Sequence, residues 1–463
     1  MKNIVKNTFA QIKQEGSFTR NFAVSFTGTT LVTAIGLLTT PIISRLYSPV
    51  EYGQLSIFNS VINNIVAISM LAYTNAIPLP KYKGVALLLA KMCFILALCT
   101  FLSATGVLVL FIDPIAAWLN VENNKNWLYI IPVSVFIYSI NMIFNSWLTR
   151  YKKFEKKTVL SISTSIISRG FTISYGFFIA GQLVGLLLGD FINKISELFG
   201  YLLSRESKLL SARNALRNLS VKNLWRVAKW YREFPLYMMT GGYISMLSYQ
   251  FPIFILNRGF GSAVVGFYSF SISLLELPIN LIGSAIAPVF YQKASETQNN
   301  NPERLSEITL SLYYKMLYLG LFPFGVITIF GDLLFGYVFG KQWITAGLFT
   351  GYLGYYYVFK LTSQSTSYIY TILKRQRYQL IGNIILMAAR AVGLAIGIMR
   401  GDVNEAMLLF GLSSLVCTFM IDMHILHLLK LPVLRIAARS IFLLSAVLLL
   451  LKLLRLGLEN YVF

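Results

Sequence analysis

The sequence predicts an all-α polytopic membrane protein built as two six-helix lobes, and three observations carry that expectation. The chain of 463 residues is 56% hydrophobic and only 13% charged, with a mean hydropathy of +0.64. A soluble chain of this length needs more charge to cover its surface. Apolar runs of 20 or more residues recur from end to end, each long enough to cross the hydrocarbon layer. A transmembrane barrel would instead show short alternating segments. Finally, the two halves echo one another. Setting Gly53 on Gly266 brings Arg45 onto Arg258 and Asn63 onto Glu276; further along, Asp113 matches Asp332 and Arg169 matches Arg390. Offsets that drift so slowly suggest two copies of one bundle.

Taken in order, residues 1–20 are basic, with Ile4, Val5, Phe9 and Ile12 on one helical face, which reads as a cytoplasmic interfacial helix. A cleavable leader is not expected, because the apolar run that follows is too long and lacks a small-residue cleavage site. Spans are placed at 21–44, 53–77, 84–111, 127–149, 158–180 and 181–203, the N-lobe. Residues 204–234 form a basic cytoplasmic linker with Leu216, Trp225 and Trp230 for interfacial burial. The C-lobe, 235–428, holds spans at 235–257, 264–290, 312–331, 346–373, 379–400 and 404–428. In the C-terminal segment 429–463, a run at 436–456 reads as a thirteenth span or an interfacial hairpin, since Arg439 and Lys452 leave twelve uncharged residues between them.

Charge sets the orientation. The net charge of +22 would suggest nucleic acid in a soluble chain, but here the basic residues lie mostly between spans. With the N-terminus cytoplasmic, inner segments carry 27 Lys and Arg and outer segments 7, with six more inside spans. That bias predicts a cytoplasmic N-terminus in a cell membrane, with membrane lipids and no nucleic acid as partners. Cys93, Cys99 and Cys417 lie in apolar runs, so no disulfide framework is expected.

A distinctive order of motifs then emerges: PIISRLYSPVEYG at Pro41–Gly53, AIPLPK at Ala76–Lys81, RYKKFEKK after span 4, and FGKQW at Phe339–Trp343. Together they resemble the Wzx-type polysaccharide-repeat (O-antigen or capsule) flippases of the multidrug/oligosaccharidyl-lipid/polysaccharide exporter superfamily. The resemblance implies two lobes around a central cavity and alternating access. It also implies movement of an undecaprenyl-pyrophosphate-linked oligosaccharide from the inner to the outer leaflet, alongside polymerase and chain-length proteins of the same pathway. The turn residues also have physical reasons of their own. Pro49 suits a helix start, Gly53 a close re-entry, and Glu51 the positive end of a helix. Arg45 reads as an interfacial anchor.

Several polar residues within spans are candidates for the work. Arg169 and Arg390 each lie eleven residues into a span, ~16 Å deep at the helical rise. They are either guanidinium forks for a diphosphate or structural partners of an acid such as Asp190 or Glu276. Tyr356, Lys360, Ser363, Gln364 and Ser367 form a polar stripe on span 10, echoed on span 4 by Ser134, Tyr138, Asn141, Asn145 and Thr149. Such stripes line a pathway for a hydroxyl-rich ligand or bond helix to helix. Substrate-binding candidates are therefore Arg169, Arg390, Lys360, Tyr356, Gln364, Asn141, Asn145 and Asn63. Glu276, with no opposite charge in its own span, is the coupling candidate for a proton; otherwise it is a neutral hydrogen-bonding group or a partner for Arg169 or Arg390. Asp190, Lys194 and Glu197 are spaced to neutralise one another.

No catalytic residue, cofactor or metal site is expected. His424 and His427 lack a third ligand, and no Gly-rich phosphate loop occurs. A membrane polymerase or acyltransferase would want longer outer loops and acid–base groups on that side. A drug/cation antiporter of the same superfamily would want an acidic pathway, whereas charge within spans is mainly basic.

Overall fold

The structure, a computed structural model, describes residues 18–179, 181–203 and 220–462. The expected interfacial helix at 1–20 therefore lies almost wholly outside the described residues, as do the first sixteen residues of the 204–234 linker. Among the described residues the chain is helical, with no strand. The helices are α1 Phe18–Leu46, α2 Pro49–Ser69, α3 Lys83–Leu119, α4 Ile130–Arg150, α5 Phe154–Phe178, α6 Leu183–Leu202, α7 Val221–Trp230 and α8 Thr240–Phe260. They continue as α9 Ser262–Asn300, α10 Arg304–Val338, α11 Ile344–Thr366, α12 Tyr368–Ile372, α13 Gln376–Arg400, α14 Val403–Leu428 and α15 Val433–Val462. Among the described residues, eight helices are long and apolar enough to cross a membrane by length and composition. Five more, α2, α5, α6, α8 and α11, run 20 to 25 residues but are more polar. The protein is a multi-pass membrane protein. Its contacts divide it into two compact units, Met1–Gln250 and Phe251–Phe463, with the division falling inside α8.

In the first unit, α1 ends in the Arg45–Gly53 turn, and the turn's fixed point is a residue the sequence reading passed over. Tyr47 is fully buried and donates its hydroxyl to the Thr172 carbonyl of α5 at 2.8 Å. Small residues make room for its ring: a Cβ at Gly185 would lie 2.2 Å from the Tyr47 hydroxyl oxygen. Pro49 opens α2, and the Glu51 carboxylate accepts the Ser48 backbone N–H at 2.9 Å, closing a capping box that satisfies an orphan donor. The span expected at 53–77 is broken. Helix α2 stops at Ser69, Leu71 and Ala72 turn left-handed, and a 3₁₀ turn covers Tyr73–Ala76. The diversion buries Tyr73, Ala76 and Ile77 in a cluster with α3, α4 and α7. Two motifs meet just beyond: Arg150 of the basic turn donates to the carbonyls of Ile77 and Pro78 in AIPLPK, at 3.4 and 3.2 Å.

Several boundaries differ from expectation because helices run on past the apolar spans. The outer loop expected after residue 111 is mostly helical. Helix α3 kinks at Phe111 and continues past Pro114 to Leu119, and a 3₁₀ stretch follows at Glu122–Tyr129. In the second unit α9 is 39 residues long, about 58 Å at the helical rise, against ~30 Å of hydrocarbon. Only Asn301–Glu303 separate it from α10. The C-terminal run is one helix, not a hairpin. Arg455 ties α15 to α10 by two parallel bonds to Asp332, at 2.9 and 2.7 Å.

The second unit is organised on α11, where 14 of 23 residues are buried. It packs on α9, α10 and α14. Where it meets α10, a Cβ at Gly347 would lie 2.3 Å from the Gly331 carbonyl oxygen, the close backbone approach that small residues permit between membrane helices.

Candidate functional site

Three polar contacts radiate from α11. Lys360 forms an ion pair with Glu276 of α9, and the same carboxylate oxygen accepts the Tyr357 hydroxyl at 3.0 Å. The Lys360 ammonium also sits 4.9 Å from the Tyr357 ring centroid. Both charged side chains are largely covered, at 12% and 23% exposure, so the pair holds two charges out of water only because each compensates the other. Glu276 thus has a basic partner on a different helix. It is Lys360, not Arg169 or Arg390.

Arg390 of α13 is 2% exposed and lies between two aromatic faces. Its guanidinium carbon is 5.6 Å from the Tyr356 centroid and 5.1 Å from that of Phe410, and its Nε donates to Ser414 Oγ at 2.8 Å. Aromatic faces stabilise a cation that has left water, which is how an arginine is held so deep. The Tyr356 and Tyr357 rings lie 4.5 Å apart at a 42° tilt, so the Arg390 and Lys360 sites adjoin through two rings.

The third contact was not foreseen. Asp422 of α14 is 1% exposed and meets three hydroxyls of α11: Thr362, Ser363 at 2.7 Å and Thr366 at 3.2 Å. The polar stripe read on span 10 therefore splits. Tyr356 serves Arg390, Lys360 serves Glu276, and Ser363 serves Asp422. Gln364 is exposed and packs over Gly283 of α9. A cleft of about 430 Å³ between α9 and α10 carries Lys293, Glu307 and Lys315 among apolar side chains. Near the end of α14, His424 Nδ1 and the Tyr370 hydroxyl share a 2.8 Å hydrogen bond. Among the described residues no group of three His, Cys, Asp or Glu is placed to hold a metal ion.

In the first unit the candidates are dispersed. Arg169 of α5 donates to Thr39 Oγ1 of α1 at 2.9 Å, and its guanidinium lies against Gly36. Asp190 pairs instead with Lys194. Asn141 is buried and donates through Nδ2 to the Lys194 carbonyl at 2.8 Å and to Glu197 at 3.2 Å. Tyr201 donates to the other Glu197 oxygen at 3.0 Å. The Asp190–Lys194–Glu197 run is thus tied into α4, as interhelical bonding would have it. Asn145 is half-buried one turn along α4, and Asn63 half-buried on α2.

A model of the polysaccharide biosynthesis protein family matches residues 42–347, two thirds of the chain. The chain belongs to that family. The four motifs that suggested a polysaccharide-repeat flippase lie within the matched segment but for Pro41, one residue before it. The succinoglycan biosynthesis transport protein ExoT of Rhizobium meliloti (strain 1021) is 25% identical over 329 residues, 71% of this chain and 64% of that protein; the chain therefore matches just under two thirds of that relative's length. Among solved structures, lipid II flippase MurJ in an inward closed conformation shares the fold at a TM-score of 0.69 and 14% identity, covering 94% of this chain and 92% of that one. An inward-facing multidrug resistance MATE family transporter of the MOP superfamily matches at 0.65 and 15%, covering 86% and 95%. These relatives are transporters and flippases, not enzymes, and at such identities the structural likeness is one of fold.

Proposed function

We propose that this member of the polysaccharide biosynthesis protein family flips a lipid-linked oligosaccharide repeat unit across the cell membrane for surface polysaccharide synthesis. The observation that carries the reading is the family match over 42–347, with a transport protein of polysaccharide synthesis among the relatives. The finer parts of the proposal rest on the motif resemblance for the carrier and the transport cycle, on the charge bias for orientation, and on side-chain chemistry for the residue roles. The carrier is an undecaprenyl pyrophosphate, the N-terminus is cytoplasmic, and alternating access moves the sugar from the inner to the outer leaflet. Arg390 supplies a planar guanidinium for a diphosphate, the Lys360 ammonium a compact charge beside it, and Tyr356 an aromatic face for a sugar ring. Arg169 plays the corresponding part in the first unit. Asn63, Asn141, Asn145 and Gln364 are proposed to bond sugar hydroxyls. A drug/cation antiporter is less well supported, because Lys360 neutralises Glu276, the acid such a cargo would need.

The test is reconstitution in liposomes with a fluorescent polyprenyl-diphosphate oligosaccharide. Its accessibility to an impermeant quencher should rise to both leaflets only when the protein is present, and Arg390→Ala should abolish the rise at equal protein density. Protein-independent movement of the probe, or equal movement of an organic cation that competes with it, would overturn the reading.

A further inference from the structure

We propose that Asp422 is a proton-binding site, taking up and releasing one proton at the contact between α11 and α14 as the transporter cycles. A hydroxyl carries one proton to donate, yet Thr362 Oγ1 faces two acceptors, the Phe359 carbonyl at 2.7 Å and Asp422 Oδ2. Thr366 Oγ1 likewise faces the Thr362 carbonyl at 3.0 Å as well as Asp422 Oδ1, so the hydrogens can be assigned with Asp422 in either of two states that differ by one proton. In the first, Asp422 is protonated: its Oδ2–H donates to Thr362 Oγ1, whose own proton goes to the Phe359 carbonyl. In the second, Asp422 is ionised: Thr362 turns its proton onto Oδ2, and the Phe359 carbonyl keeps only its helical partner. In both, Ser363 donates to Oδ1 at 2.7 Å, with Thr366 at 3.2 Å from the same oxygen. No heavy atom has to move between the two states.

The surroundings say which state belongs to this closed contact. Asp422 is 1% exposed, and among the described residues no lysine or arginine lies within ion-pair distance of it. From the packed helices the titratable groups facing it are phenols, Tyr313 of α10 and Tyr370 of α12. Tyr313 is itself bonded to Ser440 of α15 at 3.0 Å, and Tyr370 to His424 of α14, against which the tilted ring of Tyr378 of α13 packs. His427 lies one turn beyond. A buried carboxylate with no cation to balance it holds its proton. Releasing that proton requires water to reach Oδ2, and that requires α11 and α14 to part. Proton binding and helix separation are thereby linked. The paired Glu276 is the weaker coupling candidate, since its charge is already compensated by Lys360.

The coupling half of this proposal rests on the flippase reading; the proton site does not, and the experiment keeps them apart. Infrared difference spectra of the purified protein in lipid, recorded while pH is stepped, should show a protonated-carboxyl band that disappears in Asp422→Asn and moves in Thr362→Val. The asparagine variant keeps the geometry of the protonated state, so it should fold and insert. In proteoliposomes carrying the labelled polyprenyl-diphosphate oligosaccharide, an imposed pH gradient should change flipping by wild type but not by Asp422→Asn. Absence of the band from wild type, or its survival in Asp422→Asn, would overturn the proton site. A gradient response that survives in Asp422→Asn would overturn coupling through it. Failure of wild type to move the probe under any gradient would count against the flippase reading, while the spectra still decide the proton site.

Discussion

Removing Lys360 tests whether the α9–α11 ion pair is structural, functional or both. In Lys360→Met the apolar stem is kept and the ammonium is lost, leaving Glu276 as a carboxylate with 23% exposure and one hydrogen bond, from Tyr357 at 3.0 Å. Leaving a buried charge uncompensated costs roughly 3–5 kcal/mol. The partial exposure of Glu276 and the surviving tyrosine place this case at the low end, about 3 kcal/mol, or roughly a hundredfold in the unfolding equilibrium. Glu276→Gln alone takes the carboxylate from Lys360 and should also be destabilising. The double variant removes both charges together and should recover most of the loss, with a coupling energy of roughly 1.5 kcal/mol or more. Chemical unfolding of the four proteins in one detergent, with membrane levels measured in cells, closes the cycle. If the double variant is as damaged as the two single losses combined, the pair is not an energetic unit and the reasoning fails. If it is stable yet does not export, Lys360 is needed for the cargo as well as for the fold.

Arg390→Lys keeps the charge but loses the planar fork and its Nε–H bond to Ser414 Oγ, worth about 1 kcal/mol. Complementation of an export-deficient strain at matched protein levels should show partial function for Arg390→Lys and none for Arg390→Ala; full function of the alanine variant would exclude a role in binding. Gly411 is where α14 crosses α11, and an added Cβ would lie 1.9 Å from the Tyr352 carbonyl oxygen. Gly411→Ala should therefore destabilise by roughly 1–3 kcal/mol, read as a lower unfolding midpoint, and an unchanged midpoint would refute so close a contact. For orientation, a single cysteine at position 217 in a cysteine-free background should escape an impermeant thiol reagent in spheroplasts and react after lysis. Labelling before lysis would invert the assigned topology.

The helical class and the approximate place of every long helix were legible because burial in lipid demands apolar runs, which composition alone reveals. The ends were not. The stretch from Tyr291 to Asn300 reads as loop because it is polar, yet it continues α9 beyond any membrane, where polarity says nothing against a helix. The break at Leu71–Ala72 carries no glycine or proline; the burial of Tyr73 and Ile77 against α3 and α7 imposes it, and that is tertiary information. Candidate charges were easy to find and hard to pair. Nothing in the spacing of Glu276 points to Lys360, 84 residues away. Nothing in the sequence marks Asp422 as the acid that the hydroxyls of α11 would hold. A usable signal was present on α11 all the same: Thr362, Ser363 and Thr366 put three hydroxyls at one end of a span, more than helix bonding alone requires.

What remains is why these groups share one helix. Tyr356, Lys360 and Thr362 lie within seven residues of α11, about 9 Å along its axis, and they face three different neighbours: Arg390 on α13, Glu276 on α9 and Asp422 on α14. A helix with 14 of 23 residues buried cannot bend to serve each neighbour separately, because close-packed interiors pass a displacement on instead of absorbing it. Moving α11 away from α14 to let Asp422 ionise must therefore also alter how Tyr356 meets Arg390 and how Lys360 meets Glu276. The linkage is reciprocal. A diphosphate that draws Lys360 or Arg390 from its present partner biases α11, and so changes the proton affinity of Asp422 by the same free energy. On that account the coupling needs no chain of relays between cargo and proton. It needs one rigid helix that cannot satisfy the cargo and hold the buried acid in the same position.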